Sequence, residues 1–241
     1  MELKEAINIR RSRRKFIADA IDENKVKELN KLIGEYNEID GIRFELVLNN
    51  GKAFNGLRKS YGMFSGVNNY IVLFASKNDK HAAEKLGYYG EYLILKATAL
   101  GLGSCWVGGT YSKNDIPFDI NDDEYVVATI VIGNVLAVFS FKEKFIWNMT
   151  HRKSKTIEEM YRSDEDVPSW FLEGMDAVIK APSAVNRQPV IIEYKSGEIS
   201  AMATGEFDDS LYLDLGIAKA HFKIAISKGE WQWGNNGEFI F

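Results

Sequence analysis

Hydrophobic positions along this chain recur with two periods, and the switches between them mark out the elements. In "DENKVKELNKLIGEY", Val26, Leu29, Ile33 and Tyr36 fall at 3-4-3 spacing. That spacing is one face of a helix, and Asp22 is placed to cap it. "FELVLNNG" then alternates and ends in a turn signal, so it reads as a strand. "YIVLFAS" reads as a second, more fully buried strand. Over residues 79–101, Leu86, Gly90, Leu93, Ala97 and Leu100 recur at 4-3-4-3, a long helix with one closely packing glycine. "GLGSCWVGG" is expected to end it as a glycine turn. "YVVATIVIG", dense in β-branched residues, is a third strand.

Residues 2–9, 155–161 and 168–180 are expected to be helical, the last capped near Ser169. "PVIIEY" and "EISAMA" read as a strand pair across the "KSG" turn. Residues 209–227 form another long helix, with Leu211, Leu215, Ala218, Phe222 and Ala225 on one face. Helices and strands mix without the strict alternation of a doubly wound fold. The expected class is α+β: one mixed central sheet flanked by helices. A faint internal echo runs through the chain. "VKELNKLIGEYNEIDGIRFELVLNNG" shares its layout with "SWFLEGMDAVIKAPSAVNRQPVIIEYKSG", and "YYGEYLILKATALGLGSCW" with "YLDLGIAKAHFKIAISKGEW". The expectation is a single domain over 1–241 that divides into pseudo-repeated halves, 1–150 and 151–241; two ordinary helix–strand units would give the same layout.

Composition narrows the chemistry. The 241 residues are 46% hydrophobic and 27% charged, an ordinary globular balance. A formal charge of −4 gives no global attraction to nucleic acid or to anionic membranes, so any anion site must be local. One cysteine, Cys105, excludes an intrachain disulfide and a cysteine metal set, and fits a reducing compartment. "MELKEAINIRRSRRKF" lacks the apolar core of a signal peptide, and its acids speak against a transit peptide. The longest apolar run is broken by Gly133 and Asn134 and is too short to cross a bilayer. The protein is expected to be soluble and cytoplasmic.

Four segments are candidates for chemistry. In "RRSRRKF", residues 10–16, five of seven residues are cationic. Arginine forks match phosphate oxygens, but the run reads equally as a solvated basic patch or a nucleic-acid arm. In "MTHRKSKTIEEM", His151, Arg152 and Lys153 precede an expected helix start, where backbone N–H groups favour anions; a capped surface helix would look the same. "GLGSCWVGG" is not a P-loop, because Gly109 stands where the lysine belongs. Its glycines would let backbone approach a flat ligand, or simply stop a helix. In "IKAPSAVNRQPVIIEY", Asn186 and Gln188 can each donate and accept, which suits a heterocycle edge. A proline-rich turn that satisfies its own backbone is the alternative. The three histidines are scattered without metal-ligand spacing, and no G-x-S-x-G is present, so metal and hydrolytic chemistry are not indicated. Cys105 reads as a small buried hydrophobe.

Together these segments resemble the nitroreductase family of FMN enzymes. "RRSRRKF" is similar to the family's R-R-S-x-R-x-F through Arg10, Arg11, Ser12, Arg14 and Phe16. "APSAVNRQP" is similar to A-P-S-x-x-N-x-Q-P through Ala181, Pro182, Ser183, Asn186, Gln188 and Pro189. "GLGSCWVGG" with the strand ending "VIGN" resembles the helix–turn–strand portion. Two departures stand out. The proline segment comes late, after the glycine turn, and Val190 replaces the usual tryptophan. This order resembles a divergent branch of the family.

The resemblance implies that Arg10, Arg11, Ser12 and Arg14, helped by Arg152 and Lys153, hold the FMN phosphate. Pro182, Ser183 and Ala184 would pass along the isoalloxazine, with Asn186 and Gln188 bonded to the ring system or ribityl chain. Trp106, Val107 and Gly108 would offer backbone N–H near the redox end. It further implies hydride transfer from NADH or NADPH through flavin N5 to a nitroaromatic, quinone or similar small acceptor, with no catalytic side chain and no metal. Same-fold alternatives are dehalogenation, dehydrogenation, flavin breakdown, or flavin binding without turnover. The implied partners are small molecules, with neither nucleic acid nor membrane. The implied assembly is a homodimer or a pseudo-dimeric monomer in which one chain holds both halves of a flavin site.

Overall fold

The computed structural model describes residues 1–55, 62–150, 154–206 and 208–241. Two expected site residues, Arg152 and Lys153, and His151 beside them, lie outside the described residues. The element order is α1 (Leu3–Ile9), α2 (Glu23–Asn37), β1 (Ile42–Val47), β2 (Asn69–Ser76), α3 (Ala82–Ala99), β3 (Gly103–Val107) and β4 (Glu124–Gly133). There follow α4 (Phe141–Thr150), β5 (Tyr161–Ser163), α5 (Ser169–Val178), β6 (Val190–Lys195), β7 (Glu198–Ala203), α6 (Asp209–Ile226), β8 (Glu230–Trp231) and β9 (Gly237–Ile240).

The class is α+β, but the strands form two sheets where one was expected. The first is antiparallel, in the order β1-β2-β4-β3. The second runs β5-β6-β7-β9-β8 and is mixed, because β5 pairs parallel to β6. Leaving aside α1, α4 and β5, each sheet arises from the order helix, strand, strand, helix, strand, strand, and the spatial order is the same: β1-β2-β4-β3 and β6-β7-β9-β8.

Helices α1, α2, α3, α5 and α6 form where the pattern put them, while α4 is not marked by the sequence pattern. Asp22 caps α2 by accepting from the N–H of Asn24 at 2.9 Å, and Leu29 and Ile33 are buried against the first sheet. Each such aliphatic side chain contributes about 1.5–3 kcal/mol when fully buried. Asp208 caps α6 through the N–H of Leu211, 2.9 Å away. Helices α3 and α6 pack backbone to backbone between the sheets. A Cβ at Gly87 would run into the carbonyl of Leu213, and one at Gly216 into the carbonyl of Glu84. Only glycine allows that approach.

Three local expectations are corrected. "GLGSCWVGG" is not merely a stop: Gly103–Val107 is strand β3, paired from Gly103↔Gly133 to Val107↔Thr129. Long-range pairing overrides the local glycine signal. Residues 155–161 make a turn and enter β5. Lys155 is drawn off by Gln188, its N–H donating to Oε1 at 2.8 Å and its Nζ to the carbonyl at 2.7 Å, and Tyr161 then pairs with Ile192. Helix α5 has Pro168 at its N-cap and no side-chain cap, so Ser169 is its first residue and not the cap.

Candidate functional site

The arginine run follows α1 as an extended segment alongside β3. Ser12 bridges Ser104 in parallel, and the N–H of Arg13 donates to the Ser104 carbonyl at 2.8 Å. Extended backbone turns alternate side chains to opposite sides. Ser12 and Arg14 therefore line a cavity. Arg13 turns the other way: its Nε donates to Glu143 Oε1 (3.0 Å), its Nη1 to the Leu136 carbonyl (2.9 Å), and it lies over the Phe139 ring. A nucleic-acid arm would leave Arg13 in solvent; here it is buried.

Glu143 fixes this segment. Oε1 also accepts from the N–H of Arg14 at 2.8 Å and of Lys15 at 3.2 Å, while Oε2 accepts from the N–H and hydroxyl of Ser140. Burial pushes this carboxyl up, but the bonds from Arg14, Ser140 and Arg13 outweigh it and bring it down to about 2.

The cavity has two lobes, of about 300 and about 290 Å³, that share Ser12, Arg14, Pro182, Ser183 and Val185. The cationic lobe has Arg10, Arg11, Arg14 and Lys180 in its wall, with Asn186, Gln188 and Trp147. Arg11 donates to the carbonyls of Asn8 (3.0 Å) and Arg10 (2.8 Å) and stands over the Trp147 ring. The Nε atoms of Arg10 and Arg14 are buried without a hydrogen-bond partner among the described residues. Such orphaned donors are costly unless a ligand satisfies them.

The second lobe is largely apolar. Trp106, Val107, Gly108, Pro182, Ser183 and Ala184 line it, with Leu213, Ile217, Phe64 and Cys105. Among the described residues nothing stands where a Cβ at Gly108 or Gly109 would be. Trp106 is held against α3: a Cβ at Gly90 would come within 2.5 Å of its ring, and its Nε1 donates to Glu91 Oε2 at 2.8 Å. Glu91 is fully buried and ties the halves together. Its Oε1 is 3.0 Å from His221 Nε2 and 3.9 Å from Arg10 Nε. His221 Nδ1 faces the Ala177 carbonyl at 2.8 Å, which can only accept, so that nitrogen carries a hydrogen. Burial pulls the Arg10 guanidinium below its ordinary value, and Glu91 opposes the fall. Burial likewise pushes the Cys105 thiol up.

The proline segment closes both lobes. Val185, Asn186 and Gln188 all have left-handed backbone, with φ of 47°, 57° and 48°. Each such residue costs about 1–3 kcal/mol and persists only where surroundings impose it. Gln188 is not a free reader of a heterocycle. Its Oε1 accepts from Lys155 N–H at 2.8 Å and its Nε2 donates to the Ile179 carbonyl at 3.1 Å, so its amide shapes the loop. Asn186 Nδ2 donates to Ser154 Oγ at 3.0 Å and to the Thr150 carbonyl at 3.3 Å, leaving its carbonyl end as the group able to meet a ligand. The N–H of Ala184 is directed to Asp214.

All twelve of the expected site residues within the described chain, from Arg10 to Gln188, line one lobe or the other. Sequence reasoning did not find Glu143, Trp147, Glu91, His221 or Asp214. Glu91, His221 and Asp214 lie on helices whose periodicity reads as ordinary packing, where a polar or charged residue at a core-facing position was the available signal; Glu143 and Trp147 lie on α4, which the sequence pattern does not mark.

The family described as "Putative TM nitroreductase" matches residues 2–226. A "putative nitroreductase" of Thermotoga maritima is similar at 22% identity and a TM-score of 0.66, over 99% of this chain and 92% of its own, which shows a shared fold. A nitroreductase family protein of Clostridium difficile is similar over 69% of this chain and 100% of its own, at 16% identity and a TM-score of 0.49. A Bacteroides fragilis nitroreductase with bound FMN is similar over 58% of this chain and 92% of its own, at 17% identity and a TM-score of 0.45. No curated protein matches. With the family match running through nearly the whole chain, from α1 to the end of α6, this protein belongs to that nitroreductase family.

Proposed function

We propose that this protein is an FMN-dependent oxidoreductase that moves hydride from NADH or NADPH to a small acceptor such as a nitroaromatic or a quinone. One observation carries the reading. Segments from opposite ends of the chain wall a single cavity whose cationic lobe is lined by two arginines with buried Nε atoms that have no hydrogen-bond partner among the described residues. A phosphate carrying nearly two charges fits those donors. The apolar lobe next to it fits a planar ring system.

Arg10, Arg11, Ser12 and Arg14 would hold the phosphate. Pro182, Ser183, Ala184 and Val185 would flank the ring, with Val107 and Gly108 at its far end. Bound FMN supplies the redox chemistry, a two-electron hydride exchange at N5. The chain orients its ligands and shields them from water. Glu143 keeps the Arg14 backbone in register, and Glu91 on α3 binds Trp106 and pairs with Arg10 while meeting His221 on α6. The arginine run occurs once in the sequence, so one flavin per chain is expected.

The repeated element order supports a pseudo-dimeric monomer, with halves 1–150 and 151–241 contributing to one site. Within the described residues no helix is long and apolar enough to cross a membrane. A cytoplasmic setting is part of the proposal, as is the absence of nucleic-acid partners. The test is the visible spectrum of purified protein. The flavin bands of FMN, at one per chain, and their bleaching by NADH or NADPH are expected. No flavin absorbance after incubation with FMN would reject the reading.

A further inference from the structure

Asp214 is a buried carboxyl for which the redox reading has no task. It stands on α6 in the wall of the apolar lobe, 5% exposed, with Val107, Pro182, Leu213 and Ile217. Among the described residues its two oxygens share one close donor, the Ala184 N–H, at 3.1 and 3.2 Å. A carboxylate can accept about four hydrogen bonds. Arg187 Nη2 is 3.8 Å from Oδ2, beyond hydrogen-bond reach, and that side chain is half in solvent. Asp208, at the N-cap of α6, adds a like charge. Among the described residues of the cavity wall Arg14 is the fixed cation and Ser210 is neutral, while burial keeps Cys105 a thiol. Burial dominates at Asp214 and pushes it up to about 7, with the Ala184 N–H and Arg187 opposing and Asp208 adding to the rise. A group so placed holds a proton near neutral pH and can give it away.

We propose that Asp214 is the acid of this site, touching the electron acceptor in the apolar lobe and passing it a proton. The assignment rests on the oxidoreductase reading and narrows the acceptor to one that builds negative charge on oxygen. With a quinone the balance is simple. A hydride brings two electrons and one proton and forms a new bond to hydrogen. The Asp214 O–H bond breaks and its proton joins the quinone oxygen. The neutral hydroquinone leaves, Asp214 is left as carboxylate, and water returns its proton. The reductant is the reduced nicotinamide that loads the site.

The test uses the FMN-loaded protein and Asp214→Asn, whose remaining Oδ1 still accepts from Ala184. First, bound flavin is counted by absorbance. If wild type binds no FMN, the oxidoreductase reading fails and this assignment falls with it. Second, infrared difference spectra are taken between about pH 5 and about pH 9. Wild type is expected to show a protonated-carboxyl band that vanishes with a midpoint of about 7 and is missing from the variant. If FMN binds and that band is missing from wild type, the acid assignment alone is overturned. Third, NADH-reduced protein is mixed with benzoquinone. Wild-type reoxidation is expected to slow as pH rises through about 7. The variant is expected to be about 100-fold slower than wild type below that midpoint and insensitive to pH. A variant that matches wild type there also overturns the assignment.

Discussion

Glu84 on α3 and Asp214 on α6 are two buried carboxyls on the same helix pair, and the protein treats them in opposite ways. Glu84 is fully buried and met at both oxygens, by Lys219 Nζ at 2.5 Å and by the Gly234 N–H at 2.6 Å. Lys219 also donates to the carbonyls of Gln232 and Gly234. Burial pulls Lys219 below the ordinary lysine range, and Glu84 opposes that fall. Among the described residues Asp214 has one backbone N–H donor and a half-exposed Arg187 3.8 Å away, and it lines a cavity. The difference separates a sealed joint from a working face. A paired and satisfied charge specifies how elements meet. A carboxyl left short of partners beside a cavity waits for something to enter.

The largest expected effect comes from breaking the sealed side. Lys219→Met leaves Glu84 buried and uncompensated and should cost about 3–5 kcal/mol of stability, read as a lower urea midpoint. If the loss is under about 1 kcal/mol, the Lys219–Glu84 pair does not hold the two helices together.

The open side should show itself through pH. The folded-state value of Asp214 is raised, so the folded protein binds its proton more tightly than the unfolded chain. Stability is then full below about 4 and declines as pH rises through about 7. Wild type should lose about 2–4 kcal/mol across that window relative to Asp214→Asn, measured by urea unfolding at a series of pH values. Parallel curves would remove the contrast between the two carboxyls.

A smaller effect is expected at Arg14. Arg14→Ala should weaken FMN binding by about 1.5–3 kcal/mol, seen as a higher Kd in flavin fluorescence titration, since it removes one charge-assisted contact among several. The smallest belongs to Gly109→Ala. With open space at its Cβ position, the unfolding free energy should stay within about 0.5 kcal/mol of wild type. Gly90→Ala, aimed at the Trp106 ring, should cost clearly more in the same assay.

How much of this was legible in the sequence differs by element. Asp22, Leu29 and Ile33 announced α2, and the "KSG" turn announced the β6–β7 hairpin, because cap, period and turn chemistry are local signals. The close-packing role of Gly90 was also readable from its place on the α3 stripe. Strand β3 was hidden because Gly103 resembles a helix stop and its partner β4 lies some 20 residues on. The short strands β8 and β9 carry too few residues for a period to emerge. Two sheets were read as one because strand patterns do not say which strands share hydrogen bonds. At the site, the arginine run and the proline segment were visible as unusual composition. That Arg13 turns away from its neighbours follows only once the segment is known to be extended. The fate of the Gln188 amide required the fold, since its partners, Lys155 and Ile179, are set by packing.

The placement of residues 12–16 has a consequence beyond ligand binding. The free side of β3 would present unpaired N–H and C=O groups to any other chain, and Ser12 and Arg13 lie along that side. The strip that would grip a phosphate is thus also a guard against edge-to-edge aggregation. Weakening its hold, for instance at Glu143, should turn a loss of affinity into a loss of colloidal stability, with the ligand acting as a solubility factor for its own protein.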